Sequence, residues 1–239
     1  MDSLMSSAAS GLRSRMEALE LVANNLANAS TAGYKSDRES YGLYAAPESD
    51  GGTVQPVIEG RWTDFGQGTL MPTGNAYDLA LGGPGFFAVN GPRGPLYTRN
   101  GSFRISGGAL ATADGYAIRD ANNNGQPIAL DGTRPFEVAP DGTVTQDGMV
   151  AGRIAVVRFS APEMLEKMGH SYFSSAQAPE PVEAPDVRQG KLEASNSGGA
   201  ESAVRMIGIL RQFEMLQKAI ALGSEMNKRA VEEVARVNP

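Results

Sequence analysis

Apolar residues repeat every seven positions near the amino end of this 239-residue chain. The repeat consists of Met5, Leu12, Leu19 and Leu26. Further small or apolar residues fill the alternate row, namely Ala8, Ala9, Met16, Val22 and Ala23. A repeat that averages 3.5 residues is the spacing of a coiled-coil seam. It predicts a helix over about residues 3–28 that needs a partner, since so short a helix is marginal alone in water.

The carboxyl end carries a second repeat of the same length. Its main register is Met206, Phe213, Ile220, Asn227 and Val234. Its alternate row is Ala203, Leu210 and Val231, with Gln217 and Ser224 as weaker members. The spacing predicts a helix over about residues 201–236. The economical interpretation is that the two terminal helices pair with each other and then with neighbouring chains.

The alternative is a pair of ordinary amphipathic helices lying on a globular core. Two features argue against this alternative. The repeats occupy the extreme ends of the chain, and the C-terminal helix also carries apolar residues off its seam. These residues are Val204, Ile207, Ile209, Leu216, Leu222 and Met226. A helix that is apolar on nearly all sides is favoured where it is surrounded, as it would be in a tube of subunits.

Helix breakers are concentrated in the middle of the chain, where 13 of the 14 prolines fall between Pro47 and Pro185. Asn-Gly, Asp-Gly and Gly-Gly pairs separate short β-prone runs there, beginning at positions 100, 107, 114, 131, 141 and 147. This pattern is typical of antiparallel hairpins. We therefore predict an α+β fold, in which N- and C-terminal helices pair as a coiled coil beside a central, mainly antiparallel β domain.

The same signals divide the chain into five segments. Residues 1–35 form a helix and the turn after it, and residues 36–75 form an irregular arm. Residues 76–175 form the β-rich domain, residues 176–199 a proline-containing linker, and residues 200–239 the C-terminal helix. The two ends are nearly neutral and the middle is acidic. Binding to nucleic acid is disfavoured because no basic stripe is present.

Residue content excludes several kinds of site. The chain has no cysteine, which excludes disulfides, thiolate metal sites and thiol nucleophiles. No nucleophile–base pair stands out, so we predict that the protein is not an enzyme and uses no cofactor. The amino end lacks the features of a secretory signal, and no run approaches the roughly 20 apolar residues that span a bilayer. These features predict no membrane insertion and a cytosolic protein, unless the chain leaves by a route that needs no cleaved signal.

One segment has the spacing of a calcium loop. Asp120, Asn122 and Asn124 occupy loop positions 1, 3 and 5, and Asp131 occupies position 12. Against a metal site, position 12 is Asp instead of the bidentate Glu, and the flanks are predicted strands. Asn-rich turns are also common between strands. These four residues are a weak metal candidate, and the corresponding alternative function is a secreted calcium- or carbohydrate-binding β module with a helical stalk.

Four segments together resemble the flagellar basal-body rod and hook family. They are Leu21–Lys35 (LVANNLANASTAGYK), Asp78–Val89, Tyr97–Arg104 and Gly190–Asn196. The resemblance touches both ends and the middle of the chain in the family's order. Within the family, the short stretch between Phe173 and Gly190 favours a proximal-rod subunit over a distal-rod subunit.

The resemblance implies a structural subunit of the flagellar basal body. Such subunits are exported unfolded, without a cleaved signal, through the flagellar type III export apparatus, and the rod then crosses the periplasm. They polymerise helically with copies of themselves and with other rod subunits into a hollow shaft that carries torque from motor to hook. The terminal helices would form the inner tube and the β domain the outer layer, which makes the seam residues of both helices assembly candidates.

The asparagines of the first segment, Asn24, Asn25 and Asn28, have two interpretations. Asparagine is a poor choice within a helix but a good one at helix ends and for amide hydrogen bonds. Packed between subunits, these side chains would fix register, as a buried asparagine does in coiled coils. Alternatively they cap the helix before a turn at Gly33. We favour the role between subunits.

Overall fold

The computed structural model describes residues 2–45, 54–169 and 171–237. They belong to two compact units. The first, the helical unit, comprises Met1–Ala27, Asp37–Thr63 and Gly198–Pro239. The second, the β unit, comprises Asn28–Ser36 and Asp64–Ser197. The chain therefore passes between the units four times, and the predicted α+β fold is confirmed.

The helical unit contains two helices and one antiparallel hairpin. Its elements are α1 (Asp2–Ala27), β1 (Asp37–Ala45), β2 (Val54–Thr63) and α2 (Gly199–Val237). Asp37 lies opposite Thr63, and the register shifts once, between Ser40 and Tyr41. The arm predicted as irregular over residues 36–75 is thus largely a two-stranded ribbon. Within the described residues, no helix combines the length and the hydropathy that crossing a membrane requires.

The β unit is built from fifteen described strands, all paired antiparallel. They are β3 (Leu70–Pro72), β4 (Leu79–Leu81), β5 (Phe86–Gly91), β6 (Gly94–Thr98), β7 (Phe103–Ser106), β8 (Ala109–Thr112), β9 (Phe136–Val138), β10 (Thr143–Gln146), β11 (Met149–Arg153), β12 (Val156–Arg158), β13 (Glu166–Lys167), β14 (Tyr172–Ser174), β15 (Glu180–Pro181), β16 (Val187–Gln189) and β17 (Lys191–Glu193).

The largest sheet of the β unit has six strands in the order β13-β14-β6-β5-β12-β15. The segment predicted as a linker, residues 176–199, contributes three short strands instead. Strand β15 joins the large sheet, β16 pairs with β4, and β17 pairs with β3. Local composition could not reveal these strands because their partners lie far away in the sequence.

Strand β5 lies at the centre of the large sheet and is buried on both faces. Phe87 and Val89 enter one apolar cluster with Phe103, and Phe86 and Ala88 enter another cluster on the opposite face. Alternate residues of a strand point to opposite faces, so a run of apolar residues without alternation marks a strand covered on both sides. The rings of Phe87 and Phe103 meet edge to face at 5.3 Å, which is a favoured aromatic geometry.

The hydroxyl of Tyr172 should make the stability of the β unit depend on pH. It donates a hydrogen bond of 2.7 Å to Asp114 Oδ2, and burial first, then the carboxylate, raises the pKa of Tyr172 well above its usual 10.0. The unfolded chain therefore loses this proton first, so the stabilisation is complete below about pH 10 and is lost as the pH rises further. Tyr172→Phe is expected to cost about 1 kcal/mol at pH 7, and the difference from wild type should shrink above pH 10 in urea unfolding. A difference that stays constant up to pH 11 would contradict this expectation.

Candidate assembly surface

Helix α1 faces α2 through small residues. Among the described positions of α1, the buried ones are Gly11, Ser14, Ala18, Leu21, Val22 and Asn25. Their spacing of three or four residues places them on one side of the helix. A Cβ atom added to Gly11 would lie 3.6 Å from Leu216 Cδ1, an ordinary contact distance. The small side chains thus let a leucine of α2 approach the α1 backbone closely.

Helix α2 turns a regular seam toward α1. Among the described positions of α2 from Ser202 onward, the less exposed ones are Ala203 and a series that alternates by four and three residues: Ser202, Met206, Ile209, Phe213, Leu216, Ile220, Gly223 and Asn227. Ala18, Val22 and Ile209 form a buried apolar cluster, with Leu19, Ile58 and Met206 packed against it. The alternation is the heptad pattern of a coiled coil.

One of the two predicted rows of α2 lies on its seam, and the other lies one position away from the residues that are buried. Met206, Phe213, Ile220 and Asn227 lie on the same face of α2 as Ile209, which packs against Ala18 and Val22 of α1. The alternate row lies one residue earlier than predicted, because Ile209 is 6% exposed and Leu210 is 41% exposed. Met5, Val231 and Val234 lie at positions whose side chains are outside the described part of the structure.

The predicted leucine row of α1 lies beside the contact with α2, and Leu19 packs against the edge of the buried cluster. Leu12, Leu19 and Leu26 are only half-buried, and Met16 on the same side is exposed. At 3.6 residues per turn this row lies roughly 100° around α1 from the buried row of Gly11 and Ala18. The leucine row of α1 is therefore partly available to another molecule, and the row that contains Gly11 and Ala18 is used within the chain.

A second apolar stripe runs along the outer side of α2. Val204, Met215, Leu222 and Met226 are between 62% and 72% exposed. The geometry of the helix places these four residues within roughly 40° of each other and opposite the seam. Sequence reasoning noted three of them as apolar residues off the seam and missed Met215. The signal was their spacing, because 11 residues separate Val204 from Met215 and Met215 from Met226, and 11 residues are close to three helical turns.

Asn25 bonds within its own chain. Its Nδ2 donates to the carbonyl oxygen of Asp37 at 2.7 Å, and its Oδ1 accepts from the Asp37 amide at 2.9 Å. The Oδ1 of Asn28 accepts a hydrogen bond of 3.2 Å from the hydroxyl of Thr31 in the following turn. Asn24 is exposed on α1. The amide of Asn25 thus joins the end of α1 to the start of β1, which is a role within one subunit.

Charged residues join the hairpin of the helical unit to both helices. Glu39 on β1 is buried and forms an ion pair with Arg205 of α2. Arg61 on β2 lies 3.8 Å from Glu17 of α1, which also pairs with Arg13. The two exposed pairs contribute little to stability, because water screens them. The buried carboxylate of Glu39 fixes the register between β1 and α2, since an unpaired buried charge is costly.

The calcium-loop candidates serve as caps of separate turns. Asp120 Oδ1 accepts from the amides of Asn122 at 2.9 Å and Arg153 at 3.1 Å. Asp131 Oδ1 accepts from the amide and the hydroxyl of Thr133. Asn124 has a left-handed backbone, with a φ angle of 48°, as asparagine readily adopts in turns. Across the described residues, no three acidic or histidine side chains group in a way that could hold a metal ion.

Three family models match the chain along its length. The model of the flagella basal body rod protein matches residues 5–35. The model of the flagellar hook protein FlgE/F/G D1 domain matches residues 80–150. The model of the flagellar basal body rod FlgEFG protein C-terminal region matches residues 188–233. The matched regions include most of α1, the core of the β unit and most of α2.

Curated relatives match over nearly the full length. The flagellar basal-body rod protein FlgF of Caulobacter vibrioides is 34% identical over 229 residues, with 92% of this chain and 93% of the relative covered. FlgF of Mesorhizobium japonicum is 32% identical, with 82% of this chain and 83% of the relative covered. The rod protein FlgG of Bacillus subtilis is 29% identical, with 93% and 95% covered. The chain therefore belongs to the flagellar basal-body rod protein family and is a structural subunit of the rod.

Proposed function

We propose that this chain is a subunit of the proximal rod and polymerises through two apolar rows of its helical unit, the exposed stripe of α2 and the partly exposed leucine row of α1. The observation that carries the proposal is the exposed stripe of Val204, Met215, Leu222 and Met226 on α2. Each large apolar side chain that becomes buried contributes roughly 1.5–3 kcal/mol. An exposed stripe of this length marks a contact surface for another protein.

The two apolar rows favour an open helical polymer over a closed dimer. The leucine row of α1 and the stripe of α2 differ in side chains and in spacing, so each subunit presents two different faces. A contact between different faces is heterologous, and repetition of a heterologous contact builds a ring or an open helix. An open helix is the form of a shaft. The partners are therefore copies of this chain and neighbouring rod subunits that offer similar faces.

Two observations support the proximal-rod assignment. The FlgF relatives of Caulobacter vibrioides and Mesorhizobium japonicum are 34% and 32% identical to this chain, whereas FlgG relatives are 28% to 30% identical. The match to FlgG of Bacillus subtilis extends over 256 residues, which exceeds the 239 residues of this chain, so it contains insertions relative to this chain. The match to FlgF of Caulobacter vibrioides extends over 229 residues, which is shorter than this chain.

We also propose that the chain reaches the basal body through the flagellar type III export apparatus, without a cleaved signal, and completes its fold where the rod crosses the periplasm. Membership of the rod family supports this route. The absence of cysteine fits it as well, because no disulfide has to form or break before or after passage.

The proposal is tested by placing charges on the outer stripe of α2. The double variant Leu222→Glu with Met226→Glu is expected to keep the melting temperature and helix content of the wild-type monomer, because both side chains are exposed. The variant should leave cells that lack the native chain non-motile and without a complete rod in electron micrographs, since assembly would bury two carboxylates in an apolar contact.

A matched control adds the same two negative charges away from the stripe. Gln212→Glu with Ala221→Glu changes exposed positions of the same helix. This control is expected to restore swimming to within about twofold of the wild type, because exposed charges at these positions cost little. Full motility of the stripe variant, or equal loss in both variants, would contradict assembly through the stripe.

A further inference from the structure

Three charged side chains of the β unit are almost completely buried together. Lys35 and Glu193 are each 1% exposed, and Arg99 is 4% exposed. The Nζ of Lys35 donates to Glu193 Oε1. The Nη1 of Arg99 donates to Glu193 Oε2 at 3.0 Å. One carboxylate thus holds two cations, which come from distant parts of the sequence.

The charges of this group are unbalanced. Lys35 and Arg99 carry two positive charges against the single negative charge of Glu193, and half-buried Asp64 acts on Lys35 more weakly than Glu193 does. Burial lowers the pKa of Lys35, and the carboxylate of Glu193 opposes that shift. Arg99 also donates to the carbonyl oxygen of Gly83 at 2.6 Å. Loss of Glu193 would therefore leave two buried cations that share no carboxylate.

Two members of the group, Lys35 and Glu193, are close in sequence to the points where the chain passes between the units. Three segments, which we name the junction segments, are residues 28–36, 64–68 and 190–197. Lys35 belongs to the segment that follows α1, and Glu193 belongs to the segment that precedes α2. All four passages between the units, at 27/28, 36/37, 63/64 and 197/198, begin or end at a residue of these segments. The junction segments therefore include the β-unit side of every passage.

Backbone hydrogen bonds join the junction segments to one another. The amide of Gly33 donates to the carbonyl oxygen of Glu193 at 2.7 Å, and the amide of Gly68 donates to Glu193 Oε1 at 2.9 Å. The Nζ of Lys35 donates to the carbonyl oxygen of Gly66 at 2.8 Å. Glu193 is thus the one residue here that bonds to both of the other segments through its carboxylate.

Asn196 reinforces the same connection. Its Oδ1 accepts from the amide of Ser36 at 2.7 Å, and its Nδ2 donates to the carbonyl oxygen of Asp64 at 2.6 Å. The amide of Asp64 donates to the carbonyl oxygen of Ser36 at 2.8 Å. The side chains of Glu193 and Asn196 in the last junction segment therefore satisfy backbone groups of both other segments.

We propose that Glu193 is a closing latch, which orders the first two junction segments only when the last one has docked. Before residues 190–197 dock, Lys35 and Arg99 keep their hydration, because burying them without a carboxylate is unfavourable. Until residues 190–197 have docked, residues 28–36 after α1 therefore remain unordered. The latch thus makes the order of residues 28–36 conditional on residues near α2. It operates within one subunit and does not depend on the contact between subunits proposed above.

The test is amide hydrogen exchange of the full-length monomer carrying Glu193→Gln. Exchange at Gly33, Ser36 and Asp64 is expected to accelerate by roughly 100-fold or more, the factor expected when a buried charge loses its partner. Amides in β5 and β6 should keep their wild-type rates. The control Glu180→Gln removes an exposed carboxylate that pairs with Arg158 at 3.1 Å, and it should leave the junction segments protected.

A second pair of variants separates the latch from general destabilisation. Lys35→Met leaves Glu193 and Arg99 as a balanced pair, so protection of residues 33–36 should stay within about threefold of the wild type. Lys35→Met combined with Glu193→Gln removes one of the two stranded cations and should recover at least about tenfold of the protection lost in Glu193→Gln alone. If Glu193→Gln does not fold, recovery of a folded β unit in the double variant supports the latch.

Three results would overturn the latch. The first is wild-type exchange in the junction segments of Glu193→Gln. The second is acceleration by the same factor in β5 and β6, which would show a general loss of stability. The third is a double variant that gains nothing over Glu193→Gln, because an effect of unbalanced buried charge must respond to removal of a cation.

Discussion

Replacement of Gly33 by alanine is expected to destabilise the β unit by about 3 kcal/mol, with a range of about 2–5 kcal/mol. Gly33 has a φ angle of 66°, in the left-handed region that side chains disfavour. A Cβ at this position would lie 2.2 Å from the carbonyl carbon of Arg99 and 2.3 Å from the nitrogen of Asn100. Both neighbours are backbone atoms, so relief requires the chain itself to move. Movement would also weaken the hydrogen bond from Gly33 to Glu193.

Gly74→Ala is the matched control for this prediction. Gly74 has a similar φ angle of 71°, but nothing lies within 4 Å of a Cβ built on it. This variant carries only the cost of the left-handed conformation, which is about 1–2 kcal/mol. The free energies of unfolding of both variants are compared in urea. Equal losses in the two variants would mean that the close approach of the Arg99 backbone has no energetic consequence.

Turn signals predicted the hairpins of the β unit well where glycine is needed for its backbone. Asp141-Gly142 and Asp147-Gly148 both place glycine at a positive φ angle, as turns between paired strands require. Asn100-Gly101 carries the same signal for a different reason. A Cβ on Gly101 would lie 1.5 Å from the carbonyl oxygen of Leu79, so this glycine is required by the close approach of β4. A dipeptide alone does not distinguish these two causes.

The heptad rows predicted both helices but placed part of the seam one residue away. Hydrophobicity selects the largest apolar side chains, and on α1 those are the leucines at positions 12, 19 and 26. Close approach of two helices selects small side chains instead, and the structure buries Gly11 and Ala18. The role of the leucines in assembly stays a prediction, because within the chain they are only half-buried. A prediction of this seam would have to consider the size of the side chains as well as their polarity.

The latch group could not be predicted from local sequence. Lys35 and Glu193 are separated by 158 positions, and Arg99 and Glu193 by 94. Charged residues are most often found at the surface, so each of the three alone suggests a solvated side chain. Only the pairing of β17 with β3, and of β16 with β4, carries Glu193 to the two cations. The same long-range pairing explains why residues 176–199 resemble a linker in composition but form strands.

Replacement of Ala18 by glutamate is expected to separate α1 from α2 in the monomer. Ala18 is fully buried beside Val22 and Ile209, so the variant would place a carboxylate in an apolar cluster at a cost of several kcal/mol. Without its partner, α1 is only 26 residues long and loses most of its support. The far-ultraviolet circular dichroism should show a loss of helix, and mild proteolysis should trim the chain at both ends.

Met16→Glu is the control two residues away on the same helix. Met16 is 51% exposed and lies beside the leucine row, so this variant should keep the helix content and protease resistance of the wild type. If the leucine row contacts a neighbouring subunit, Met16→Glu should nevertheless reduce rod assembly. The two variants thus assign the two faces of α1 to different contacts, one within the chain and one between chains. Retention of full helix content by Ala18→Glu would show that the small-residue face does not hold α1 against α2.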